Sequence, residues 1–125
     1  MANNTLSGAE PVTFTGMRAR RGLLLSRLPA GDVDYYRFDV MQGQGIRVAC
    51  EAESAGSGVR GLSAEIRGAD DAKLVGATET NLENLRSAPV TAPTAGTYYL
   101  RLSGTSVAQT AAVEPWVRCV LLIGG

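Results

Sequence analysis

The stretch Gly31-Asp32-Val33-Asp34-Tyr35-Tyr36-Arg37-Phe38-Asp39-Val40 decides the fold. It opens as a turn. Glycine accepts a positive φ, and an Asp side chain bonds nearby backbone N–H groups. From Asp34 onward it alternates. Tyr36, Phe38 and Val40 point one way, and Tyr35, Arg37 and Asp39 the other. That period of two belongs to a half-buried β-strand, with an apolar inner face and an outer face that carries aromatic and charged groups. Asp32 and Asp34, two carboxylates at the strand mouth, are the local candidates for chemistry. Capping of the turn by its own Asp side chains is the simpler reading of them.

The same period recurs on both sides of this strand. Gly22-Leu23-Leu24-Leu25-Ser26-Arg27-Leu28 has strand length and stops at the turn signal Pro29-Ala30-Gly31. After the tight connection Gln42-Gly43-Gln44-Gly45, Ile46, Val48, Cys50 and Ala52 alternate with Arg47, Ala49, Glu51 and Glu53. Leu62, Ala64 and Ile66 alternate with Ser63, Glu65 and Arg67. Leu74 to Thr78 is a short strand after a turn at Gly68 to Lys73, where the acidic pair Asp70 and Asp71 reads as turn chemistry. Asn81 to Arg86 reads equally as one helical turn or as a loop with two apolar pins. Ala88 to Ala92 reads as a strand. Tyr98, Leu100 and Leu102 form one face of a strand over Thr97 to Leu102, and Tyr99, Arg101 and Ser103 the other. Gly104 to Pro115 is a loop of small residues. Trp116 to Ile123 closes the chain as a strand apolar on both faces. Nearer the start, residues 1–10 form a polar arm and Pro11 to Thr15 one short strand. Short strands, close turn signals and no long helical pattern predict an all-β fold, an antiparallel, jelly-roll-like β-sandwich of about seven to eight strands in a single domain spanning residues 1–125.

Composition narrows the function classes. The 125 residues carry 12 basic and 12 acidic side chains, so the net charge is zero, with no electrostatic footprint for nucleic acid. The one basic run, Arg18-Ala19-Arg20-Arg21, reads as a solvated face. The absence of histidine removes Ser-His-Asp and Cys-His sites from this chain. Two cysteines are too few for a Cys-rich zinc site. No apolar run is long enough for a transmembrane helix, so membrane insertion is not expected. Asp32 and Asp34 lie two apart on one strand and make no opposed carboxylate pair across a cleft. The expectation is that this is not an enzyme.

Three stretches in order resemble the bacterial pre-peptidase C-terminal domain. They are Gly31 to Phe38 followed by Gly43 to Val48, Leu62 to Ile66 leading to Asp70 to Leu74, and Ala95-Gly96-Thr97-Tyr98-Tyr99-Leu100-Arg101-Leu102. Asn3-Asn4-Thr5 resembles that family's opening, with Asn4 where the family often has Asp. The resemblance spans nearly the whole chain. It implies a non-catalytic jelly-roll-like sandwich carried on a longer secreted enzyme, assisting secretion, substrate attachment or spacing, in some members removed after secretion. It also implies a neighbouring domain of a parent protein as partner. Relatives in bacterial collagenases bind collagen and use calcium at the N-terminal arm. By that analogy Asn3, Asn4, Asp32 and Asp34 are the candidate calcium ligands, provided the arm packs beside the Gly31–Asp34 turn.

Candidate ligand contacts follow from alternation. Tyr35, Arg37, Tyr99 and Arg101 share outward faces, where ring stacking and guanidinium hydrogen bonds would grip a polysaccharide or a fibrous protein. Trp116 is a further candidate. It shares a face with Val120 and Leu122, opposite Val117, Cys119, Leu121 and Ile123. One of these sets fills the core, and the other meets a loop, another domain or solvent. An independent carbohydrate- or protein-binding domain is the alternative function. Self-assembly through the Trp116–Ile123 strand is another. Cys50 and Cys119 both fall on core faces, where two buried thiols are the simpler expectation. A bridge would require their strands to be neighbours or to face each other across the sandwich.

Overall fold

A computed structural model describes residues 7–16, 19–27, 33–51, 59–60, 63–70, 73–78, 85–86, 90–104, 106–107 and 116–124. These residues form strands β1 (Glu10–Pro11), β2 (Phe14–Thr15), β3 (Arg20–Arg27), β4 (Val33–Val40), β5 (Gly45–Glu51), β6 (Val59–Arg60), β7 (Ser63–Arg67), β8 (Lys73–Thr78), β9 (Leu85–Arg86), β10 (Val90–Thr91), β11 (Gly96–Ser103), β12 (Ser106–Val107) and β13 (Trp116–Gly124). Seven of them have five residues or more. Five strands form one sheet in the order β1-β4-β11-β7-β8. Six lie in the other, with a path β10-β5-β13-β3-β2 and β9 also paired to β5. A third, small sheet joins β12 to β6. Every pairing is antiparallel except β1 with β4. The fold is an all-β sandwich, as the alternation predicts.

The two large sheets bury one face each against the other. Tyr36, Phe38 and Val40 of β4 meet Ile46, Val48 and Cys50 of β5, with Ala64 and Ile66, Tyr98, Leu100 and Leu102, and Leu24 in the same cluster. β13 contributes Val117, Cys119, Leu121 and Ile123, all 1% exposed or less. That resolves which of its two apolar sets is core. Val120 and Leu122 face outward, and Leu122 remains 39% exposed. β13 is hydrogen-bonded on both sides, to β3 and to β5. Its edges therefore offer no free ladder for self-assembly through this strand.

Two expectations are corrected here. Pro11 to Thr15 is not one strand. Pro11 pairs with Arg37 in the five-stranded sheet, whereas Phe14 pairs with Gly22 in the six-stranded one. The chain changes sheets in between. Proline is tolerated at Pro11 because β1 is an edge strand, where no ladder donor is required on the open side. Gly22 makes the crossing possible. A Cβ there would stand 2.5 Å from a Val12 methyl carbon and 3.1 Å from the Phe14 ring.

The cysteines are likewise not two thiols. Cys50 and Cys119 form a disulfide. They stand directly opposite each other in the β5–β13 register, with Cα atoms 4.1 Å apart. The reason is topological. β5 and β13 are neighbours in the sheet although 69 positions separate the cysteines.

Candidate functional site

Antiparallel register assembles the outward residues of β4, β11 and β7 into rungs. Tyr99 lies between Arg37 of β4 and Arg67 of β7, and Arg101 between Tyr35 and Glu65. The next rung pairs Thr97 with Asp39. The four residues expected as ligand contacts on these strands are thus brought together, in a two-by-two arrangement in which each tyrosine faces an arginine. Cross-strand neighbours of this kind contribute about 0.2–1 kcal/mol each to the sheet.

Charge on this face is partly self-satisfied. Arg67 donates from Nε at 3.2 Å and from Nη2 at 2.6 Å to Glu65 Oε1. Arg101 Nη1 reaches the same oxygen at 3.4 Å. Glu65 therefore anchors two guanidinium groups and fixes the flank of Tyr99. Arg37 is held differently, by donation from Nη1 to the backbone carbonyl of Ala9.

Tyr35 is a correction. It occupies the outer face, but only 9% of it is exposed, so it does not serve as an open stacking platform. Its strand is interior to the sheet, with Arg101 beside it on β11 and the segment leading into β1 on the other side. Tyr99 is half-buried, Arg101 half-buried and Arg37 exposed, and these three carry the accessible surface. Trp116 opens β13, but its side chain lies outside the described residues.

Of the four candidate calcium ligands, Asn3, Asn4 and Asp32 lie outside the described residues. Asp34 is in β4 rather than in the turn, and its side chain is fully buried. Parity explains this, because Asp34 shares the inner face with Tyr36 and Phe38. Its Oδ2 accepts a hydrogen bond from Ser26 Oγ, across from one sheet to the other. Ser26 is itself buried. Tyr36 adds a second link between sheets, donating from its hydroxyl to the Leu25 carbonyl at 3.5 Å. Asp34 is therefore engaged as half of an inter-sheet clasp. Among the described residues no group of three or more His, Cys, Asp or Glu side chains is gathered as metal ligands.

Beyond the Thr97–Asp39 rung the outer face runs into a cleft of about 310 Å³, beside the place where the chain crosses between sheets. Pro11, Phe14, Arg20, Arg37, Asp39 and Thr97 line it. Sequence reading missed this cleft, because Arg20 reaches it from the other sheet. The only signal for Arg20 was its place in the basic run 18–21. The Arg20 guanidinium lies 5.2 Å from the Phe14 ring centroid and donates to the Asp39 carbonyl at 2.8 Å and to Gln44 Oε1 at 3.3 Å. Thr97 Oγ1 donates to Asp39 Oδ1 at 2.7 Å.

The fold has solved counterparts. The periplasmic inhibitor of g-type lysozyme PliG from Aeromonas hydrophila is similar over 93% of this chain and 94% of its own, with a TM-score of 0.59 and 16% identity. The pre-peptidase C-terminal domain of a Bacillus anthracis collagenase matches over 91% of each chain, with a TM-score of 0.53 and 16% identity. PliG from Salmonella Typhimurium matches over 90% of this chain and 95% of its own, at 0.52 and 18%. These likenesses are of fold. They place the resemblance to the pre-peptidase C-terminal domain at the level of architecture, and they place the lysozyme inhibitors beside it. No protein-family model matches the sequence, and no curated protein matches it.

Proposed function

We propose that this chain is a non-catalytic accessory module of a secreted bacterial enzyme, and that it attaches its parent to a polymeric substrate through the outer face of the five-stranded sheet. The observation that carries the reading is the register of β4 against β11, which gathers Arg37, Tyr99 and Arg101 on one open surface. A tyrosine ring supplies an apolar face for a flat or extended ligand, and flanking guanidinium groups supply directed donors. The Cys50–Cys119 disulfide supports the compartment, since disulfides persist where the environment is oxidising. The likeness to a collagenase domain supports an accessory role.

The test is co-sedimentation of the purified domain with insoluble polysaccharides and with fibrillar collagen. Binding should fall about tenfold or more in the double variant Tyr99→Ala/Arg101→Ala, with the folded state retained by circular dichroism. Binding that survives the double variant would remove this face from the function.

One observation favours a second reading. The two PliG structures are matched over 94% and 95% of their own chains, so a sandwich of this size can by itself be a lysozyme inhibitor. Inhibition assays against g-type lysozyme separate the two readings.

A further inference from the structure

We infer that the cleft at the end of the Tyr99–Arg37 rung is a carboxylate subsite, and that the polymer this module takes is an acidic polysaccharide, a chain carrying uronic-acid units. The inference rests on the binding-module reading and names its substrate class.

Three features of the cleft point to it. First, Arg20 and Arg37 both line the cleft, and each is held in place by neutral acceptors. Arg20 is fixed by the Asp39 carbonyl, Gln44 Oε1 and the Phe14 ring, and Arg37 by the Ala9 carbonyl. Among the described residues neither has a carboxylate within ion-pair distance, unlike Arg67 and Arg101, which share Glu65. Two preset guanidinium groups that pair with no described carboxylate suit a ligand carboxylate, which accepts paired N–H donors.

Secondly, the cleft also contains acceptors. Asp39 Oδ1 takes the Thr97 hydroxyl, while among the described residues Oδ2 has no hydrogen-bond partner. That oxygen would accept from a sugar hydroxyl. The two arginines and Asp39 leave the cleft a net charge of one positive unit, which suits a monoanion with neighbouring hydroxyl groups. A phosphate dianion offers fewer donors to Asp39 and meets its charge. Thirdly, the cleft is continuous with the open face. The Thr97–Asp39 rung adjoins the Tyr99–Arg37 rung, so one sugar seated in the cleft directs the next along the sheet toward the Tyr99 ring.

The experiment compares an oligogalacturonate with its fully methyl-esterified form by calorimetry. The ester keeps the rings and most hydroxyls and removes the charge. The acid form should bind at least about fivefold tighter. The preference should shrink as salt rises. Arg20→Gln and Arg37→Gln should each erase it, while Arg20→Lys, which keeps charge without the fork, should keep part of it. Arg37 is exposed, so its variant remains informative if Arg20→Gln disturbs the packing on Phe14. Equal affinity for acid and ester overturns the inference. So does a preference that survives both Gln variants, equal binding of polyglutamate, or no binding of the acid chain. Tyr99-dependent binding to neutral polysaccharide or collagen alongside any of those results would leave the module reading standing. Its loss as well would remove both.

Discussion

The two outer faces of the sandwich obey the same alternation and carry opposite surfaces. On the five-stranded sheet the outward rungs are polar: Arg67–Tyr99–Arg37, Glu65–Arg101–Tyr35 and Thr97–Asp39. On the six-stranded sheet they are Ala49–Val120–Leu23 and Arg47–Leu122–Arg21, with Leu25 opposite Arg118. Leu23 and Leu25 are 61% and 59% exposed. The inner faces, by contrast, are alike in being apolar. Burial dictates the inner set on each strand and leaves the outer set open, so the outer sets are where the sheets differ in what they can meet. The polar face holds its side chains through mutual bonds. The apolar face has leucines at its centre, with Arg21, Arg47 and Arg118 around them and Glu51 in register beside Arg118.

The sheets also differ in how they are held, and that difference gives the largest expected effect. The six-stranded sheet is stapled by Cys50–Cys119 between two adjacent strands. The bridge closes a loop across 69 positions of sequence. On the chain-entropy argument, such a loop adds about 4 kcal/mol by restricting the unfolded chain. Cys50→Ala/Cys119→Ala should therefore lose on the order of 2–4 kcal/mol in urea unfolding, with the slope of the transition reporting a less restricted denatured state. A loss under about 1 kcal/mol would mean that β5 and β13 are held by ladder and core packing alone.

The five-stranded sheet depends instead on a polar clasp to its partner. Ser26→Ala removes a hydrogen bond to a buried carboxylate, and removing one partner of such a bond costs about 1.5–3 kcal/mol. Serine and alanine are nearly equal in size, so the loss reads the hydrogen bond rather than a cavity. An unchanged midpoint would show that Asp34 finds equivalent support elsewhere. With Asp34 turned inward, its Oδ2 is committed to the Ser26 clasp rather than to a cation. Thermal melting should accordingly be the same in calcium and in chelator. A rise of several degrees with calcium would show that Asn3, Asn4 and Asp32 recruit Asp34 after all.

Most of the architecture was legible because it depends on parity. The core faces of β4, β5, β7 and β11 follow from alternation within segments of five to eight residues. The same parity puts Asp34 in the core, and only its acidic side chain and the adjacent Gly31-Asp32 turn signal drew it toward capping. What parity does not encode is which strands are neighbours. The disulfide depends on β5 lying next to β13, a contact between distant parts of the chain. So does the cleft, where Arg20 of β3 meets Arg37 and Asp39 of β4 although the two strands belong to different sheets. Exposure on an outer face is also not a matter of alternation. Tyr35 and Tyr99 have the same parity relation to their cores, yet Tyr35 is covered and Tyr99 is half-open.

The smallest expected effect sharpens the contrast between faces. Leu23→Ser/Leu25→Ser changes two side chains that already face solvent, so the stability change should stay within about 0.5 kcal/mol per site. Binding to polysaccharide or collagen should be unaffected, because these leucines lie on the opposite side of the sandwich from Tyr99. What should fall is binding of a hydrophobic dye, since Leu23 and Leu25 are the most exposed leucines of the described core sheets. A loss of polymer binding in this double variant would transfer the function from the polar face to the apolar one. A large loss of stability would instead show that the leucines are covered in the folded protein, and that a further segment of chain belongs on that face. Either result would break the division of labour between the faces, and the two are told apart by measuring melting and binding on the same sample.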